Sequence, residues 1–208
     1  MPTPDFDLYL VTDRGMTQGR DLLWVLQQAL DGGVKGIQLR EKDLVGRELF
    51  FLAEAARKLT QRYHALLLIN DRIDIALAVD ADGVHLSTAS IPIESARALL
   101  GRQQLLGAST HSLEEAQEAE RNGADFVMFG PVYFTPSKAS YGSPQGLAAL
   151  KKVVEKLSLP IYAIGGIKLE NIADTRRTGV RGVALISAVM SAADPENATK
   201  EILKLFNR

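Results

Sequence analysis

The 208-residue chain predicts a single-domain α/β fold built from repeated strand-helix units over residues 1–208. Short apolar runs recur along the whole sequence, stretches with helical spacing alternate with them, and no linker or low-complexity tract breaks the alternation. The runs are LYLV (8–11), GIQL (36–39), LLLI (66–69), GVHL (83–86), LLGAS (105–109), FVMF (126–129), IYAI (161–164) and GVALI (182–186). Each is too short for a helix and apolar on successive residues, as a strand covered on both faces must be. Eight parallel strands joined by right-handed crossovers close most economically into a (βα)8 TIM barrel. The open doubly wound sheet would want a glycine-rich dinucleotide fingerprint after the first strand, and LVTDRG lacks one.

Helical spacing marks 21–30, 47–59, 112–123 and 195–206. Asp21 and Ser112 stand at N-cap positions, Pro92 and Pro195 in or near first turns, and Gly32, Gly101, Gly123 and Gly179 where helices stop. The joints GVKGIQL, ADGVHL, NGADFVMF and GVRGVAL echo one another.

With 24 basic against 25 acidic residues there is no long-range field to gather nucleic acid or an anionic membrane, so neither is expected as a partner. A small-molecule ligand held by a local anion site fits better. The absence of cysteine excludes disulfides, thiolate zinc sites and cysteine nucleophiles, and fits a reducing compartment. The opening MPTPDFDLYLVTD has neither a basic n-region nor a long apolar h-region, so a cytoplasmic protein is expected. No helix face shows an apolar excess separable from barrel packing, which leaves a homo-oligomer open.

In such a barrel the site is built at the C-terminal strand ends, and unusual polar residues collect there. They are Thr12 and Asp13; Gln38, Arg40 and Lys42 in QLREKD; Asn70 and Asp71 in INDR; His85 and Ser87; Ser109 and His111 in GASTHS; GPVYFTPSK (130–138); Gly165 and Gly166; and Ser187. Glycines after strand seven let backbone N–H groups approach an anion, and the turn after strand eight adds Ser187, so a phosphate site is expected there. The plainer explanation is a tight strand-to-helix turn. Arg40, Lys42 and Lys138 suggest a second anion site, unless Glu41 and Asp43 neutralise the loop. The long segment 130–146 reads as a lid over ligand, with Thr135, Ser137 and Lys138 as donors. Of the three histidines, His64 reads as a surface residue and His85 as a core histidine with a satisfied hydrogen bond. His111, at the rim, is placed to move protons near neutral pH, or merely neighbours the helix starting at Ser112.

Seven ordered stretches, LYLVTDR, GIQLREKD, LLINDRIDIALAVDADGVHL, GASTHSLEEAQEAERNGADFV, FGPVYFTPSK, AIGGI and GVALISA, together resemble the thiamine phosphate synthase and TenI family over nearly the whole chain. The resemblance implies that synthase members join a hydroxymethylpyrimidine diphosphate to a thiazole phosphate and expel pyrophosphate with Mg2+ bound. It carries pyrimidine diphosphate binding onto Gln38, Arg40, Glu41, Lys42, Asn70, Ser109 and Lys138. It carries thiazole phosphate binding onto Thr135, Ser137, Gly166, Ile186 and Ser187. Of the two magnesium aspartates of synthases, one matches Asp71, while the second position, five residues after the strand-four histidine, holds Ser90.

Because a hydroxyl does not replace a carboxylate in compensating a divalent cation, the leading expectation is the TenI branch. That branch resembles the synthase but acts as a thiazole tautomerase, an isomerase on a thiazole carboxylate phosphate that needs no cofactor, with His111 as the acid/base. The alternatives are a synthase that uses Mg2+ through Asp71, and a non-catalytic thiazole or thiamine phosphate binding protein.

Overall fold

The computed structural model describes residues 4–136 and 143–207. Its strands are β1 (Leu8–Val11), β2 (Gly36–Leu39), β3 (Leu66–Asn70), β4 (Gly83–Leu86), β5 (Leu105–Thr110), β6 (Phe126–Phe129), β7 (Ile161–Ile164) and β8 (Gly182–Leu185). All pair in parallel with their sequence neighbours, and β1 closes the ring on β8. The expected barrel is the observed one. β3 and β5 each run one residue further than the apolar runs, to Asn70 and Thr110, whereas β8 stops at Leu185 because Ile186 turns out of the strand.

The outer layer comprises α1 (Leu22–Asp31), α2 (Gly46–Arg62), α3 (Ile73–Ala78), α4 (Ile93–Leu100), α5 (Leu113–Arg121), α6 (Gly146–Lys156), α7 (Ile172–Arg176), α8 (Ser187–Met190) and α9 (Pro195–Phe206). The capping residues act as their chemistry requires. Asp21 accepts the Trp24 N–H at 2.9 Å, Ser112 the Glu115 N–H at 3.1 Å, and Asp194 the Asn197 N–H at 2.9 Å beside Pro195 in the first turn. α1 and α4 end at Gly32 and Gly101. None of these helices is long and apolar enough to cross a membrane.

Strand alternation sorts side chains into two layers. Leu8, Leu10, Ile37, Leu67 and Ile69 point outward into the helix layer, while Tyr9, Val11, Leu68, Leu105, Phe126 and Tyr162 fill the barrel. The lower barrel is plugged by Phe6, Tyr9, Phe126 and Tyr162, with ring centroids from 4.7 Å for Phe6–Tyr162 to 6.2 Å for Phe6–Phe126. Rings of that size leave no room for a side chain where β2 and β8 begin. A Cβ on Gly36 would lie 2.7 Å from the Phe6 ring, and one on Gly182 would lie 2.7 Å from Tyr162 Cε1.

The echoing joints ADGVHL and NGADFVMF mark a repeated clamp at the N-terminal face. Asp82 accepts the Leu67 N–H at 2.7 Å and pairs with Arg57 at 2.6 Å. Asp125 accepts the Leu106 N–H at 2.7 Å and pairs with Arg97 at 2.6 Å. This face serves stability, and the chemistry-bearing groups lie at the other end.

Candidate functional site

Gln38, Asn70, His85 and Ser109 are the upper inward-facing residues of β2 to β5. They form a linked polar rim above the aromatic plug. Gln38 Nε2 donates to Asn70 Oδ1 at 3.2 Å, and Asn70 Nδ2 donates to Asp71 Oδ2 at 2.8 Å. Gln38 Oε1 is buried with no partner among the described residues, an acceptor left open at the rim. His85 is fully buried, with Nδ1 3.5 Å from the Tyr9 hydroxyl and Nε2 3.0 Å from Ser109 Oγ, so the expected core histidine is found. Burial pushes its imidazole down to about 3, with Asp71 opposing and Arg40 adding to the shift.

Asp71 is the centre of this half of the mouth. It adopts a left-handed backbone with φ of 60°, a conformation that Asp tolerates better than most residues and that collects at functional sites. Its Oδ1 accepts the Ser87 N–H at 3.0 Å and the Ser90 hydroxyl, and its Oδ2 accepts from Asn70 and, at 3.3 Å, from Ser87 Oγ. Half-burial by itself would raise this carboxyl. Hydrogen bonds from Ser90 and Ser87 and the charge of Lys42 outweigh it and hold the carboxyl below its ordinary value, so Asp71 is ionised at neutral pH.

β2 ends at Leu39, so strand alternation does not carry Arg40 and Lys42 along with Gln38. They reach the same region from the loop, since Arg40 acts on His85 and Lys42 on Asp71. The neutralised-loop alternative fails. Asp43 pairs with Arg14, and Arg40 and Lys42 have no carboxylate partner among the described residues.

Glu41 corrects an expectation. Its carboxylate is buried facing the β1 loop, where it accepts from Thr12 Oγ1 and from the Arg14 N–H at 3.0 Å, while Thr12 in turn accepts the Arg40 N–H at 2.9 Å. Burial raises the Glu41 carboxyl, and the Thr12 and Arg14 hydrogen bonds pull it back. Glu41 therefore braces the cationic loop and does not turn its carboxylate to a ligand.

On the other half of the rim, Gly165 and Gly166 take φ of 95° and 64°. A Cβ on Gly166 would lie 2.5 Å from the Phe134 carbonyl, so close packing of the β6 loop requires glycine here whether or not an anion binds. The Gly166 N–H and the exposed Ser187 hydroxyl have no partner among the described residues. Ile186 lies half-buried where the chain enters α8, and Thr135 is half-buried on the β6 loop. Ser137 and Lys138 lie outside the described residues.

His111 follows β5 directly. Its backbone N–H is held by Glu115 at 2.7 Å, and its ring Nδ1 is bonded to the Gly130 carbonyl. A carbonyl only accepts, so Nδ1 carries a proton, while Nε2 has no partner among the described residues.

The sequence reading missed Asn171. Its Nδ2 donates to the Gly166 carbonyl at 3.0 Å and its Oδ1 accepts the Lys168 N–H at 2.8 Å, which fixes the glycine turn. An Asn just before a helix was the available signal. Thr12, noted at a strand end without a role, proves to be the hinge of the Glu41 brace.

A single (βα)8 barrel with a free-cation cluster on one half of its C-terminal rim and glycine-turn N–H donors on the other is built as an enzyme of phosphorylated small molecules. Comparison with known proteins narrows this class. The chain belongs to the thiamine monophosphate synthase family, whose model matches residues 8–189. It is 51% identical over 206 residues to the putative thiamine-phosphate synthase of Geobacter sulfurreducens, covering 99% of this chain and 97% of that one. It is 43% identical over 208 residues to the thiamine-phosphate synthase of Syntrophomonas wolfei, covering all of both. The solved thiamine phosphate pyrophosphorylase of Pyrococcus furiosus superposes with a TM-score of 0.89 at 42% identity, covering 98% and 96% of the two chains.

Proposed function

We propose that this chain is a thiamine-phosphate synthase, joining hydroxymethylpyrimidine diphosphate to thiazole phosphate with release of pyrophosphate. The observation that carries the reading is the pair of cations, Arg40 and Lys42, that have no carboxylate partner among the described residues and stand beside the ionised Asp71. A diphosphate needs such cations, and a tautomerase of a monophosphate does not. Relatives at 43–51% identity carry the synthase name, which also favours this reading over the tautomerase expectation.

In this reading Arg40 and Lys42 hold the diphosphate, Gln38 and Asn70 line the pyrimidine side with Ser109, and Lys138 adds a further cation. The thiazole phosphate takes the Gly166 N–H, Ser187 and Ile186 at the opposite rim, with Thr135 and Ser137 on the β6 loop. The carbon–oxygen bond to the diphosphate breaks with its electron pair leaving on pyrophosphate, and the thiazole takes its place on that carbon. Asp71, ionised and hard, with the Ser87 and Ser90 hydroxyl oxygens beside it, fits Mg2+, which binds through one or two carboxylates plus substrate phosphates. When bound, the ion supplies charge compensation for the departing pyrophosphate.

One observation favours a second reading. The open Nε2 of His111 at the rim suits a proton shuttle, which keeps tautomerisation as the alternative. Both are separated by one paired assay: pyrophosphate release from the two synthase substrates with and without Mg2+, against isomerisation of thiazole carboxylate phosphate. Magnesium-dependent release that survives His111→Ala is expected. Isomerisation without release, lost in His111→Ala, would overturn the proposal.

A further inference from the structure

We infer that Tyr9 and His85 together fix Ser109 as a hydrogen-bond donor towards the barrel mouth, which makes His85 a positioning residue for the ligand. The inference rests on the proposed reading only in taking Ser109 to face the substrate.

Three protons are shared along the buried row of Tyr9, His85 and Ser109. Tyr9 and His85 are both fully buried among Phe6, Phe126 and Tyr162. Among the described residues the Tyr9 hydroxyl has His85 Nδ1, at 3.5 Å, as its one partner, and no other acceptor bonds to it. If Nδ1 carried the ring proton it would donate to the phenol oxygen, and the phenol O–H would be left buried without an acceptor. If Nδ1 is bare, the phenol donates to it and the ring proton sits on Nε2. That proton then points at Ser109 Oγ, 3.0 Å away. The serine oxygen accepts, so its own O–H is free to turn to the mouth. The penalty for an orphaned buried donor favours the Nε2–H tautomer by roughly ten to one or more.

The consequence is a polarity rule for the ligand. The Ser109 O–H is paired when the group that meets it accepts, as a bare heteroaromatic nitrogen, a hydroxyl or a phosphate oxygen does, whereas a group that can only donate uses the remaining serine lone pair and leaves that proton without a partner. The crowding keeps this arrangement in place. A Cβ on Gly107 would come within 2.6 Å of His85 Nδ1 and 2.3 Å of Phe126 Cζ, so glycine there lets the ring stand against the strand.

The test begins with nitrogen-15 NMR of the intact wild-type protein, in which a protonated ring nitrogen and a bare one resonate far apart. His85 is expected as the Nε2–H tautomer, and Tyr9→Phe is expected to erase the bias. A dominant Nδ1–H form in the wild type overturns the inference. A kinetic arm follows. His85→Leu should raise KM for the pyrimidine diphosphate by roughly two- to tenfold, and His85→Gln, whose amide N–H can still donate, should recover most of that loss. Equal losses in the two variants would mean that packing alone matters, and would overturn the positioning role. A wild-type protein with the Nε2–H tautomer but no pyrophosphate release would sink the synthase reading while upholding the polarity of Ser109.

Discussion

Replacing His85 by Gln removes a buried titration while keeping an N–H near Ser109, and its effect on acid stability follows from the barrel interior. Burial holds the folded imidazole at about 3 against an ordinary 6.5, so on acidification the unfolded chain takes up this proton first. A depressed folded pKa contributes stability that is complete above the unfolded value and is lost as the pH falls towards the folded one. One proton corresponds to about 1.4 kcal/mol per pH unit, so between about pH 7 and pH 5 the wild type gives up about 2 kcal/mol through His85 alone. For a chain of this length that is a fall in Tm of roughly 4–8 °C. Urea or thermal unfolding of both proteins at the two pH values measures the double difference, in which any cost of the Gln side chain itself cancels. The wild type should lose about 2 kcal/mol more than the variant. Parallel curves would refute the reasoning, because they would mean that the imidazole takes up its proton in the fold over the same pH range as in the unfolded chain.

The two N-terminal clamps should differ in strength. Arg97 also donates to the carbonyls of Gly123, Gly101 and Gln104, so Arg97→Met should cost about 3 kcal/mol in urea unfolding. Arg57→Met, which removes a guanidinium bonded to Asp82 and to no carbonyl among the described residues, should cost about half as much. Lys42→Met should weaken inorganic pyrophosphate binding by roughly tenfold or more in calorimetry and flatten its salt dependence. Ser90→Ala removes one donor to Asp71 and should raise the Mg2+ concentration for half-maximal pyrophosphate release roughly tenfold.

The barrel was legible because parallel strands covered on both faces read as nearly continuous apolar runs, and each of the eight runs marks an observed strand. Length explains part of which helices were legible, although α6, at 11 residues, was not marked. α1, α2, α5 and α9 have two or more turns in which a 3.6-residue period can show, while α3, α7 and α8 run for 6, 5 and 4 residues and leave almost no period to read. Glu41 was misread for a related reason. Its neighbours Arg40 and Lys42 are loop cations, and only the fold brings Thr12, 29 positions earlier, against its carboxylate.

Ser90 shows why a single position cannot decide a reaction class. Read along the chain, it is a missing carboxylate, and a missing carboxylate argues against a divalent cation. In the fold its hydroxyl lies on Asp71, in company with Ser87 and Asn70, and together these donors keep the remaining carboxylate ionised despite half-burial. A magnesium ion that draws further oxygens from a diphosphate is bound through one carboxylate or through two. On the proposed reading, a serine at position 90 therefore acts on how tightly the ion is held before substrate arrives. On the same proposed reading the reaction class is set elsewhere, by the cations Arg40 and Lys42, whose lack of carboxylate partners among the described residues appears only when Asp43 and Glu41 are seen to serve Arg14.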